Sequence, residues 1–146
     1  MGDLNEEQQP VRVLVIEDNP DDRELLSRQL RKFAMADHVK FISDGQEALD
    51  FLTGPQAPQS LIAILLDLKL PSLSGLDLLR KLREREDFQT VPVMVMTSSN
   101  DPEDLKECVR LKVANYVSKP VTFNSFSKAV ADVFHAPKIS PDTVGD

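Results

Sequence analysis

The sequence predicts an α/β sandwich in which five parallel strands, in the order 2-1-3-4-5, are covered on both faces by helices. Two observations carry that prediction. Apolar runs of strand length alternate with segments of helical period, and the strongest runs are apolar at nearly every position. A strand that is apolar on both sides is buried on both sides, as in a parallel sheet between helix layers. At 146 residues the chain is the size of one domain with one core.

The first strand is expected at Val11–Ile16, interrupted only by Arg12, and the first helix at Pro20–Phe33. Asn19 or Asp18 before Pro20 is the starting signal, and Leu26, Leu30 and Phe33 share a stripe. His38–Ile42 is a weaker strand, followed by a helix over Asp44–Leu52 with Ala48, Leu49 and Leu52 inward. Thr53–Ser60, rich in Gly, Pro and Gln, is a surface loop. Leu61–Leu66 is the third strand, and Gly75–Arg85 the third helix, carrying Leu76, Leu79 and Leu82 at spacing three. Val91–Met96 is the fourth strand. Pro102–Leu111 follows the N-cap Asp101 and places Leu105 and Val109 four apart, on one helical face. Ala114–Ser118 and a helix over Thr122–Phe134, with Phe123, Phe126, Val130, Val133 and Phe134, complete the order. Right-handed crossovers make this a doubly wound, flavodoxin-like (βα)5 sandwich.

Residues 1–10 lack periodicity and 136–146 contain Pro137, Pro141 and Gly145, so both are expected to be flexible extensions of a domain spanning 11–135. No output domain is expected after residue 135, because the tail is too short to fold alone. The 41% hydrophobic and 28% charged content is that of a soluble globular chain. No apolar run approaches the roughly 20 residues of a membrane span. The acidic, polar start is unlike a signal peptide, and the single cysteine, Cys108, fits a reducing cytoplasm. A net charge of −7 without a basic patch argues against nucleic acid and suits a cation or a basic protein partner.

In an open parallel sheet, ligands bind beyond the carboxyl ends of the strands. The first strand runs into Glu17 and Asp18, the third into Asp67, the fourth into Thr97-Ser98-Ser99, and the fifth into Lys119-Pro120. Carboxylates held close raise one another's pKa, and a divalent cation relieves the repulsion. Mg²⁺ takes one or two carboxylates, with waters and a phosphate oxygen completing its octahedron. Asp67 would then be placed to attack a phosphoryl group while Lys119 and the Thr97 hydroxyl bind its oxygens. Such chemistry needs positioning and charge stabilisation only. Singly, each residue has an ordinary reading: a helix cap for Glu17-Asp18, loop hydroxyls for Thr97 to Ser99, a surface lysine for Lys119, a half-buried strand tyrosine for Tyr116. Their coincidence at one sheet edge favours a site. Cys108, Met94 and Met96 read as core, and His38 and His135 are assigned no role.

The runs Val13-Leu-Val-Ile-Glu-Asp-Asn-Pro20, Ile64-Leu-Leu-Asp-Leu-Lys-Leu-Pro71 with Gly75, Val93-Met-Val-Met-Thr-Ser-Ser99 and Tyr116-Val-Ser-Lys-Pro120 resemble the response-regulator receiver family across residues 11–135. The resemblance implies a phosphoacceptor signalling protein, not a classical enzyme, that assists its own phosphorylation and dephosphorylation. It implies Asp67 as phosphoacceptor, Mg²⁺ held by Asp18, Asp67 and the Lys69 backbone carbonyl, and Glu17 contacting the ion through water. Thr97 and Tyr116 would be the switch pair, Lys119 the phosphate-sensing lysine, and the bond before Pro120 cis. The implied donor is a sensor histidine kinase or a histidine phosphotransfer protein. The implied output is a downstream protein bound by the fourth helix, fifth strand and fifth helix, with a homodimer through the fourth and fifth helices also expected. Within the family, the Asp-Asn-Pro-Asp-Asp run, the long Thr53–Ser60 loop and the Thr-Ser-Ser…Glu-Asp passage are similar to single-domain regulators accompanying bacterial phytochrome kinases.

Two positions depart from the family pattern. Lys112-Val113-Ala114 stands where Gly-Ala is common before the fifth strand, and position 69 is a lysine whose amine is expected to influence hydrolysis of the phosphoryl group. Three rival readings fit the residues less well. A haloacid-dehalogenase-type phosphohydrolase would need a second Asp where Lys69 stands. A degenerate receiver acting as a constitutive binding module would lack one of the site residues. A nucleotide-binding flavodoxin-like protein would need a Gly- or hydroxyl-rich loop in place of Glu-Asp-Asn-Pro.

Overall fold

The computed structural model describes residues 11–32, 36–55, 57–58, 61–98, 101–119, 124–125 and 128–129. Its strands are β1 (Val13–Ile16), β2 (Val39–Ile42), β3 (Ala63–Asp67), β4 (Val93–Thr97) and β5 (Asn115–Ser118), all parallel, in the expected order β2-β1-β3-β4-β5. Among the described residues, four helices connect them: α1 (Pro20–Lys32), α2 (Gly45–Thr53), α3 (Gly75–Arg83) and α4 (Pro102–Arg110). The expected fifth helix falls largely outside the described residues, as do Phe33, Ser99, Pro120 with its cis bond, and the extensions at 1–10 and 136–146. No described helix is long and apolar enough to cross a membrane.

Every residue of β1, β3 and β4 is buried, because their side chains alternate between two filled layers. Val13, Val15, Ala63, Leu65, Met94 and Met96 pack with Leu26 and Leu30 of α1. Leu14, Ile16, Ile64, Leu66, Val93 and Val95 pack with Ala48 and Leu52 of α2, Leu78, Leu79 and Leu82 of α3, and Cys108 of α4. The helix starts are set by side chains that satisfy first-turn amides. Asn19 Oδ1 accepts from the Asp21 and Asp22 amides at 2.8 and 3.1 Å, and Asp44, Ser74 and Asp101 cap α2, α3 and α4.

The structure decides which way two of the helical stripes point. In α3 Leu78 joins Leu79 and Leu82 in full burial, and Leu76 is only partly covered. In α4 the Leu105–Val109 face turns outward, with 46% and 69% of those residues exposed, while Cys108 and the following Leu111 face the core. Spacing identifies a helical face but not the direction in which it points.

The end of α4 explains the departure at position 112. The Lys112 amide donates to the Val109 carbonyl at 3.0 Å and the Val113 amide to Cys108 at 3.2 Å, a Schellman closure that puts Lys112 at φ 61°. Side chains there are strained, and glycine is not. Lys112→Gly is therefore expected to raise stability by about 1 kcal/mol, read as a higher urea midpoint. A lower midpoint would show that the closure is unstrained.

Candidate functional site

The site is assembled by strand ends. The Glu17 amide still donates to the Ile42 carbonyl at 3.0 Å, so the ladder holds this residue at the sheet edge with its carboxylate fully buried. Glu17 Oε2 accepts from the Asn19 amide at 3.1 Å, and Oε1 accepts from Lys119 Nζ at 2.8 Å. Asp67, the last residue of β3, is 5% exposed, and its Oδ1 accepts from the Lys69 amide at 3.1 Å. The Lys119 amide donates to the Thr97 carbonyl at 2.8 Å, continuing the β4–β5 ladder and fixing the base of the lysine. The ammonium then reaches inward. Besides Glu17 it donates to Asp67 Oδ2 at 3.0 Å and to Asp22 Oδ2, on the first turn of α1, at 2.7 Å.

The loop from β3 to α3 is anchored on α2. The Ser72 hydroxyl donates to Asp44 Oδ1 at 2.5 Å, and the Gly45 amide donates to the Pro71 carbonyl at 3.2 Å. Lys69 in this loop has an exposed side chain and lines the same open groove as Asp18, Asp22, Asp67, Ser98 and Lys119. Asp18 is exposed and Thr97 fully buried. Tyr116 is half-buried on β5 and packs against the layer that holds Cys108. Burial raises its phenol pKa, with Cys108, Asp104 and Asp101 adding to the shift.

Asp18, Asp22 and Asp67 thus line one groove with Lys119, whose part-buried ammonium also reaches the buried Glu17 beneath it. Burial pushes the Glu17 carboxyl up to about 7, with Asp67 adding to the shift and the Lys119 hydrogen bond opposing it. For Lys119 burial works against the charge, yet the hydrogen bonds to Asp22, Glu17 and Asp67 prevail and hold the ammonium above an ordinary lysine. Even with Lys69 on its rim, the groove and the buried Glu17 beside it hold more carboxylates than ammonium groups. One oxygen each from Glu17, Asp18 and Asp67 lies within 4.8 Å of the others, an all-oxygen donor set that fits a hard divalent cation such as Mg²⁺.

The fold and sequence are similar to those of known proteins. The sequence pattern of the response regulator receiver domain matches residues 13–131. The chain belongs to that family. The bacteriophytochrome response regulator AtBRR is 38% identical over 86% of this receiver and 93% of its own chain, with a TM-score of 0.71. The Mn(2+)-bound form of the response regulator Rcp1 is 28% identical over 82% and 89%, with a TM-score of 0.72. The probable methanogenesis regulatory protein FilR2 of Methanothrix harundinacea is 29% identical over 90% of this receiver and 86% of its own length. Several matching plant response regulators are longer, this receiver spanning 49% to 61% of them.

Of the sequence-predicted residues, the structure brings Glu17, Asp18, Asp67 and Lys119 together, with Lys69 on the rim of their groove. Thr97 is adjacent through its carbonyl, and Tyr116 lies on β5 three residues before Lys119. Sequence reasoning missed Asp22. The available signal was its place in the first turn of α1, which also reads as ordinary helix capping.

Proposed function

We propose that this receiver accepts a phosphoryl group on Asp67 in a Mg²⁺-dependent reaction, from the phosphohistidine of a sensor histidine kinase or a histidine phosphotransfer protein. The observation that carries this reading is the Lys119 ammonium 3.0 Å from Asp67 Oδ2, at the edge of a carboxylate cluster with metal-ligand spacing. Asp67 attacks phosphorus as the P–N bond to the donor imidazole breaks. The imidazole leaves with the electron pair and takes up a proton. Lys119 binds a phosphoryl oxygen, and the Thr97 hydroxyl donates to another. Asp18, Asp67 and the Lys69 carbonyl would hold Mg²⁺, with Glu17 contacting it through water, and the ion would supply charge neutralisation at the phosphoryl oxygens.

Recruitment of Thr97 and an inward move of Tyr116 then shift a two-state equilibrium that the free protein already samples. The surface affected is α4 and β5, with the fifth helix expected beyond them. The exposed Leu105 and Val109 lie on α4 and are available to a downstream protein or a second copy. Likeness to the bacteriophytochrome response regulator AtBRR supports a phytochrome-type kinase as donor, and likeness to the Mn(2+)-bound Rcp1 supports a divalent cation as cofactor.

Incubation with a small acyl phosphate and Mg²⁺ is expected to add the mass of one phosphoryl group to wild type and none to Asp67→Asn. The gain should disappear without Mg²⁺. No gain in wild type, beside a competent control receiver, would instead favour a constitutive binding module. Decay of the added mass is expected to change in Lys69→Ala, and an unchanged rate would remove Lys69 from the mechanism.

A further inference from the structure

Lys119 is already fully occupied. An ammonium has three N–H donors, and three carboxylates take them: Glu17 at 2.8 Å, Asp22 at 2.7 Å and Asp67 at 3.0 Å. A phosphoryl oxygen that binds this lysine has to displace one of them. Glu17 is poorly placed to leave, because its side chain is fully buried and its other oxygen is bound to the Asn19 amide. Asp67 loses its carboxylate charge on phosphorylation, so its place at the ammonium passes to a phosphoryl oxygen. Any further contact or shift of the lysine toward that group comes at the expense of the remaining partners. Asp22 is the releasable partner: its side chain is 28% exposed on the first turn of α1, where water can solvate it once freed.

Resting on the phosphoacceptor reading of Asp67, we propose that Asp22 is a positioning residue that holds Lys119 toward α1 and competes with the phosphoryl group for its ammonium. Asp22 thereby sets how tightly the phosphorylated arrangement is held. It touches neither the phosphoryl group nor Asp67, and acts through Lys119 alone.

The test compares Asp22→Asn with Asp21→Asn. Asp21 is the neighbouring first-turn residue, exposed and also bound to Asn19 through its amide, so its variant removes the same charge from the same helix end. Binding of beryllofluoride, a phosphoryl mimic, is measured calorimetrically in Mg²⁺ for both variants, alone and combined with Lys119→Ala. Asp22→Asn is expected to bind about tenfold tighter than Asp21→Asn, since it removes one charge-assisted competitor. The difference is expected to vanish in the Lys119→Ala background, which a general charge or stability effect would not do. Equal affinities of the two variants, with wild type binding normally, overturn the role of Asp22 alone. Absence of mimic binding by wild type overturns the phosphoacceptor reading and this inference with it.

Discussion

Gly75→Ala is expected to destabilise the receiver by about 3 kcal/mol and to slow phosphoryl transfer to Asp67 roughly a hundredfold. An alanine Cβ at this position would lie 2.3 Å from the Asp67 carbonyl oxygen, 2.6 Å from Leu68 Cα and 3.0 Å from the Asp67 carbonyl carbon. All three are backbone atoms and none can rotate aside. The Gly75 amide also donates to the Leu68 carbonyl at 2.8 Å, and Ser74 caps α3, so the helix cannot back away without losing both contacts. The main chain carrying Asp67 has to move, and small misplacements of a reacting group cost orders of magnitude in rate. Glycine-to-alanine changes in an unobstructed helix stabilise by up to about 1 kcal/mol, so the sign of the effect is itself diagnostic. Urea unfolding and the initial rate of phosphoryl gain measure the two parts. A more stable variant with normal transfer would show that β3 and α3 are not in contact at this point.

Arg83→Met is expected to cost about 3 kcal/mol and to leave the chemistry of the folded protein intact. The Arg83 guanidinium donates to four carbonyls: Leu111 at 2.9 Å, Phe88 at 2.7 Å, Val91 at 2.9 Å and Lys112 at 3.2 Å. One side chain thereby joins the end of α3 to the entry of β4 and the closure of α4. Methionine fills similar space but leaves these carbonyls without their donor. Lysine should not restore the stability, because a single ammonium cannot reproduce the planar fork. These bonds lie at the amino ends of β4 and β5, the opposite edge of the sheet from Asp67 and Lys119. The urea midpoint of Arg83→Met should therefore fall while phosphoryl gain per folded molecule stays at the wild-type level. A fall in transfer as large as the Gly75→Ala effect would mean that the two edges are coupled.

The layers of the sandwich and most of its site could be read directly from the residue order. Two-sided apolar runs mark strands buried between helices, and the residues that end those runs lie at one sheet edge in a parallel sheet. Glu17, Asp18, Asp67, Thr97 and Lys119 follow from that rule without any knowledge of distances. Other features depended on which groups meet in space. Asp22 and Lys119 are separated by 97 positions, and only the packing of α1 beside the carboxyl edge makes them partners. A first-turn aspartate has a sufficient local explanation in the helix dipole, so its sequence context does not point to the lysine. The outward face of Leu105 and Val109, the four carbonyls of Arg83 and the backbone contact at Gly75 are of the same kind. Periodicity and strand ends express how a segment relates to its own neighbours. Satisfaction of a buried charge or carbonyl, and the space left for a Cβ, are set by segments far away in the chain.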